Sequence, residues 1–380
     1  TLCLMLVACV GTRTTLPENV LAHAQVTSFE NSLIRLWGDA NSGEIDTDKL
    51  RTTPQLKVVK DPETGKLRQD FLVLSGGGSK GAYGAGLLNG WTAAGTRPEF
   101  SIVTGVSTGS IIAPFAYLGS SYDSLLTEFY TTYKTKDLLR PKLVGVLGGS
   151  SATDSKPLEN LIAKYVTPNV LKAIAREYET GRYLLVGTTN LDAQRPVVWN
   201  MGEIAKKGDK EALELFRRVI LASISIPGAF PPVLINVSAA GASGQELHVD
   251  GGTTDNAILV PIHIGLDKAD TGRSVKIAQR VFVLINSNLS PKPKVIKAST
   301  LRIAARSIET LIQQQTSGDV LRIYSYAQSN RIGFNYTEIP DSFTKKSEEL
   351  FDPVYMKSLY DLGFRQGENG GDWKKTPRGY

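Results

Sequence analysis

Asp70-Phe71-Leu72-Val73-Leu74-Ser75-Gly76-Gly77-Gly78-Ser79-Lys80-Gly81 is an apolar run of strand length that breaks at once into a glycine loop, and Ala82 to Ala94 continues as a helix. The same order follows again: Ser101 to Val106 is apolar, Ser107 closes it, and Thr108 to Leu118 reads as a helix with an expected kink at Pro114. Leu184 to Asn190 and Arg280 to Asn286 are further apolar runs of strand length, and helical periodicity marks Leu158 to Val166, Lys210 to Leu221, Thr300 to Gln314 and Pro353 to Phe364. Strands that are apolar throughout, separated by helices, are buried on both faces. The expected fold class is therefore α/β, with a mostly parallel central sheet between helical layers. No long low-complexity linker interrupts the chain, so one enlarged domain is expected rather than two.

Composition narrows the function classes. The 380 residues are 41% apolar and 21% charged, which is ordinary for a globular chain and excludes collagen or a disordered tail. The 36 glycines have no fixed period, so a repeat architecture is not expected. No run of eighteen apolar residues exists to form a complete membrane-spanning helix. The net charge of +6 is uneven, because residues 1–270 hold 26 basic and 27 acidic groups while residues 271–380 hold 17 and 10. From Arg273 to Arg306 there are eight basic residues and no acidic one. Such a stretch suits either a solvated helix face or an anionic membrane surface. Aromatic interleaving and zinc-finger spacing are both missing from it, so nucleic acid is not an expected partner.

The only cysteines are Cys3 and Cys9, and the three histidines show no H-E-x-x-H spacing. No metal and no intradomain disulfide are expected. Leu2 to Val10 is too short to span a bilayer but fits the hydrophobic part of a signal peptide whose front is missing. Leu6-Val7-Ala8-Cys9 resembles the bacterial lipoprotein cleavage box. That resemblance implies a mature protein starting at a diacylglycerol-modified Cys9, and, because Val10 is not Asp, an outer-membrane location. The alternative is a plain secretory signal and a secreted or periplasmic protein. Gly11 to about Glu30 reads as a tether.

Three segments carry chemistry. In Gly76-Gly77-Gly78-Ser79-Lys80-Gly81, glycines let backbone N–H groups close on a negative oxygen. Gly76, Gly78 and Gly81 also satisfy the dinucleotide spacing, but Glu99 precedes the next strand where that fold needs an acid after it. Lys80 is not in phosphate-loop order. Gly105-Val106-Ser107-Thr108-Gly109 is the only G-x-S-x-G in the chain, and its strand-to-helix context suits a nucleophile elbow. Asp250-Gly251-Gly252 ends a short apolar segment and reads either as an ordinary hairpin turn or as a delivered carboxylate. Ser107 needs a base. Two arrangements remain open: a triad of Ser107, Asp250 and His263, with acid and histidine only thirteen residues apart, or a dyad in which Asp250 itself takes the proton. A non-catalytic lipid-anchored binding protein is the reading from outside enzymology.

In this order the glycine loop, the elbow and the Asp-Gly-Gly turn resemble the patatin-like phospholipases. Ala222-Ser223-Ile224-Ser225-Ile226-Pro227-Gly228-Ala229-Phe230-Pro231-Pro232, Asn256 and Pro261 add to that resemblance, which covers about residues 70–290. It implies an α/β/α three-layer fold and hydrolysis of fatty-acyl esters of phospholipid or other membrane lipids without cofactor. It also implies Ser107 as nucleophile, Asp250 as base, and Gly76, Gly77, Gly78, Lys80 and Gly81 as the oxyanion loop, with Gly105, Gly109, Gly251 and Gly252 as motif support. The organisation expected from all this is a remnant and tether over 1–30, an extension over 31–69, a catalytic body over 70–290, and its completion over 291–380.

Overall fold

The computed structural model describes residues 13–41, 43–61, 64–141, 153–259 and 277–380. Cys3, Cys9, Pro261, His263, Arg273 and Lys276 lie outside those residues.

Eleven strands form the main sheet: β1 Gln25–Val26, β2 Arg35–Trp37, β3 Val59–Lys60, β4 Leu67–Leu74, β5 Ile102–Val106, β6 Tyr183–Asn190, β7 Arg195–Asn200, β8 Val233–Ala239, β9 Ala242–Asp250, β10 Ala278–Ile285 and β11 Gly333–Glu338. Their order is β1-β8-β9-β6-β5-β4-β10-β11, with β7 also on β6, β2 on β7 and β3 on β4. The contiguous strands β6, β5, β4, β10 and β11 pair in parallel. Every other pairing is antiparallel, so the sheet as a whole is mixed around a parallel centre. The antiparallel additions are hairpins such as β8–β9 and β6–β7, which need only short turns.

Helices cover both faces. Leu72 and Leu74 join one core cluster with Leu87 and Leu88 of α1 (Gly81–Ala93), Ile112 of α2 (Thr108–Leu118), Phe216 of α3 (Lys210–Ser223) and Leu359 of the last helix, Pro353–Glu368. Phe71 and Val73, alternating with them, join the opposite cluster with Val320, Ile323 and Ala327 of α4 (Thr300–Ser329). This explains the uninterrupted apolar sequence of β4: a pleated strand sends successive side chains to opposite faces, and here both faces are interior. The helix α2 runs through Pro114, as its sequence suggested it would.

The stretch expected as a tether is instead docked. Arg13 forms an ion pair with Asp192, Gln245 N–H donates to Thr14 O, Leu16 is buried, and Gln25–Val26 extends the sheet by pairing with β8. Leu16, Ala24, Val26 and Phe29 of this stretch join the core, but their irregular spacing announces no element.

Candidate active site

The site begins with one long strand. β6 has two edges, and β7 occupies one of them from Leu185 to Asn190. The other edge is shared. β5 runs parallel along it as far as Val106 opposite Gly187, and β9 runs antiparallel along the rest, with Asp250 opposite Thr188. The two strands therefore meet end to end at adjacent positions on β6. Ser107 is the first residue beyond β5 and Asp250 is the last residue of β9, so pairing register alone brings the hydroxyl and the carboxylate together.

Ser107 sits at φ 53° and ψ −126°, a region an L-residue occupies only under strain. It turns the chain directly from β5 into α2, whose first-turn N–H groups give that end a positive field. The turn is tight enough that a methyl on Gly109 would meet Leu74 O at 2.3 Å. Ser223 holds the elbow: its hydroxyl accepts the Ser107 N–H at 3.0 Å and donates to Gly187 O at 2.7 Å. Two residues on, Ser225 O accepts the Asp250 N–H at 2.9 Å. The segment after α3 thus fixes both strand ends from below.

Asp250 is 5% exposed. Its Oδ1 accepts the Gly252 N–H at 2.7 Å, within the short helical turn Gly251–Thr253, so Asp250-Gly251 is a strand end and not the hairpin turn that was one reading of it. Its Oδ2 is buried without a hydrogen-bond partner. Burial pushes the carboxyl up to about 7, while the nearby Ser107 hydroxyl and the Gly252 N–H pull it back part of the way. The Ser107 hydroxyl is close enough to the carboxyl to favour its ionised form. A desolvated carboxylate near neutral is a far better base than an ordinary aspartate.

The glycine loop lies beside them. Gly76 N–H donates to Asn256 O at 3.1 Å, and a methyl on Gly76 would come within 3.0 Å of Ser107 Cβ. Gly77 is packed on Asn286, and Gly78 to Lys80 form a single helical turn leading to Gly81 at the start of α1. The N–H groups of Gly77 and Gly78 have no acceptor among the described residues. Lys80 is exposed at the end of this loop. Partial desolvation there and then the neighbouring Lys292 lower its pKa, with Glu309 opposing them. Gly105 and Gly251 lie where β5 and β9 converge, and Gly252 sits under Asn256 Oδ1.

Two braces were not visible in the sequence. Asp319, buried in α4, accepts the N–H groups of Asn256 and Ala257 on Oδ2 at 2.7 and 3.0 Å, while Thr316 accepts from the Asn256 amide at 2.6 Å. Burial, then Asp255, raises Asp319 to about 6. Asn286 clamps the loop from the other side by donating to Ser75 O and accepting the Gly84 N–H. Behind Asp250, alternate residues of β9 place His248 and Glu246 on the same face. His248 contacts Thr188 Oγ1 through Nδ1 and Glu246 through Nε2, and Glu246 is also paired to Arg35. Both ring nitrogens of His248 are committed there. No group of His, Cys, Asp and Glu able to hold a metal occurs among the described residues.

The patatin-like phospholipase family model matches residues 72–266, just over half of the chain. The chain belongs to the patatin-like phospholipase family. Among solved structures, the crystal structure of VipD from Legionella pneumophila is similar at 12% identity and a TM-score of 0.40, over 84% of this chain and 70% of that one. None of the curated proteins matches it. The family membership makes this chain an enzyme of the lipid acyl hydrolase class.

Two outcomes follow from the geometry. Ser223→Ala leaves the Ser107 N–H and Gly187 C=O unpaired in the interior. It is expected to cost about 1–3 kcal/mol in denaturant unfolding and to lower kcat more than it changes KM. The raised Asp250 carboxyl also has a stability consequence. Its folded value, about 7, lies above the unfolded value of 3.8, so stability falls as pH rises between those values and the full penalty applies above 7. Asp250→Asn is therefore expected to raise the melting temperature at pH 8, by at most about 4 kcal/mol of stability, and to lose most of that advantage near pH 4. An unchanged melting temperature at pH 8 would refute the desolvated carboxylate.

Proposed function

We propose that this enzyme cleaves fatty-acyl esters of membrane lipids through a Ser107/Asp250 dyad. The observation that carries the proposal is the buried Asp250 carboxyl, with Oδ2 unpartnered, held beside the strained Ser107 elbow by the register of β5 and β9 on β6. Ser107 Oγ attacks the ester carbonyl and its proton passes to Asp250. The N–H groups of Gly77 and Gly78 receive the developing oxyanion, since they lack acceptors among the described residues and belong to a loop that Asn256 and Asn286 hold in place. Asp250 returns the proton to the leaving alcohol, then takes one from water as that water attacks the acyl-serine, releasing the fatty acid and restoring Ser107. The commitment of both His248 nitrogens supports an aspartate base, because it removes the one histidine on β9 as a rival.

The test uses a soluble fluorogenic acyl ester. Ser107→Ala and Asp250→Asn are expected to abolish turnover. His263→Ala is expected to keep both the rate and an acid limb in kcat/KM near pH 7, because Asp250 must be ionised to act. A collapse of His263→Ala to the level of Ser107→Ala would instead favour the triad. Turnover retained in Ser107→Ala, with no labelling of Ser107 by a fluorophosphonate, would favour a binding protein.

The proposal includes an envelope location, with Cys9 as a lipid anchor, on the strength of Leu6-Val7-Ala8-Cys9. Intact-mass measurement of protein produced in a bacterial host from a precursor carrying a complete signal is expected to show a diacylglyceryl adduct that Cys9→Ser removes. An unmodified secreted product would leave the plain signal reading.

A further inference from the structure

The helix α4 is thirty residues long, and its two halves have different surroundings. Val320, Ile323 and Ala327 of the second half are buried against the sheet. In the first half, Arg302 to Leu311 are exposed except for the half-buried Arg306. Ile303 is 52% exposed, Ile308 42% and Leu311 68%. At 3.6 residues per turn, Ile303, Ala304, Ile308 and Leu311 fall within an arc of about 140° on a side of the helix that its buried half does not use. Arg302, Arg306 and Glu309 share the remaining side. Between Arg302 and Leu311, α4 thus turns outward an aliphatic arc interrupted only by Ser307.

The loop leading into it continues the pattern. Lys292, Lys294 and Lys297 are exposed and have no carboxylate within ion-pair distance among the described residues, and Val295 between them is 98% exposed. Arg306 ties loop to helix by donating to Lys292 O, and its pairing with Glu309 neutralises the one acid in the patch. Unpaired cations flanking exposed aliphatic side chains match a bilayer with anionic headgroups, which supplies negative charge above and hydrocarbon below. Nucleic acid offers no counterpart to the aliphatic arc.

The patch also lies near the glycine loop beside Ser107. Lys80 feels the charges of Lys292 and Glu309, and α4 reaches the oxyanion loop through Thr316, Asp319 and Asn256. We propose that Lys294, Val295, Lys297, Ile303, Ile308 and Leu311 form the surface by which the enzyme docks on an anionic lipid bilayer, bringing the glycine loop and Ser107 towards its substrate. This inference rests on the lipid-ester reading of the site.

The test measures binding without turnover, so a failure of the dyad leaves it intact. Full-length Ser107→Ala protein is sedimented with phosphatidylcholine vesicles and with vesicles containing phosphatidylglycerol. Binding is expected on the anionic vesicles and to fall with salt. Lys294→Glu/Lys297→Glu is expected to weaken it about tenfold or more. Ile303→Asp/Leu311→Asp is expected to weaken it comparably, leaving the salt dependence that the lysines supply. In the active enzyme both double variants are expected to keep turnover of the soluble ester and to lose turnover of vesicle lipid. Vesicle binding unchanged by either variant overturns the proposal. So does equal loss on soluble and vesicle substrates, and so does a native dimer that Leu311→Asp dissolves, since the face would then belong to a second copy.

Discussion

The site depends on two strands sharing one edge of Tyr183–Asn190. A strand edge offers a single row of donors and acceptors, and once β7 has taken the other side, β5 and β9 can only occupy it in succession. Where the parallel strand stops, the antiparallel one has already ended, and the chain must leave the sheet at both places. Those two departures are Ser107 and the Gly251 turn. The placement of Ser107 beside Asp250 is thus set by hydrogen-bond register in the buried sheet rather than by the conformation of surface loops, which is the rigid placement that oriented reacting groups require.

That placement has an energetic cost. A carboxylate with one unsatisfied oxygen, a serine in a strained backbone region and a second raised carboxyl at Asp319 are each unfavourable taken singly. The surrounding structure offsets them with ordinary means: the double-sided apolar core of β4 and β10, and short polar bridges in which one side chain satisfies two backbone groups. Ser223 and Asn286 do this at the elbow and the loop, and Asp319 does it for Asn256 and Ala257.

Much of this was legible in the sequence, and for physical reasons. Ser75 to Gly81 and Gly105 to Gly109 stand out because backbone crowding admits few residue types there, and β4, β5, β6 and β10 stand out because strands covered on both faces are apolar throughout. The resemblance implies Ser107 as nucleophile and Asp250 as base, and the fold brings those two residues together. The braces were not legible. Ser223 stands in a segment whose resemblance is legible, but its bridge from Ser107 N–H to Gly187 O needs β5 and β6 in register, and Asp319 lies beyond the helix expected to end at Gln314. Residues 13–30 read as a tether because Leu16, Ala24, Val26 and Phe29, which reach the core, follow neither helical nor strand spacing.

The row Glu246, His248, Asp250 carries a consequence for how the gene can vary. Because only every second residue of β9 faces that interior, one codon gained or lost between Gln245 and Val249 would swing the carboxylate to the opposite side of the sheet and bring a neighbour into its place. Length changes at the Ala239–Ala242 tip, where β8 turns into β9, leave the phase of Asp250 against Thr188 untouched. Descendants of this chain should therefore differ in the size of that hairpin's end and agree, residue for residue, in the count from Glu246 to Asp250.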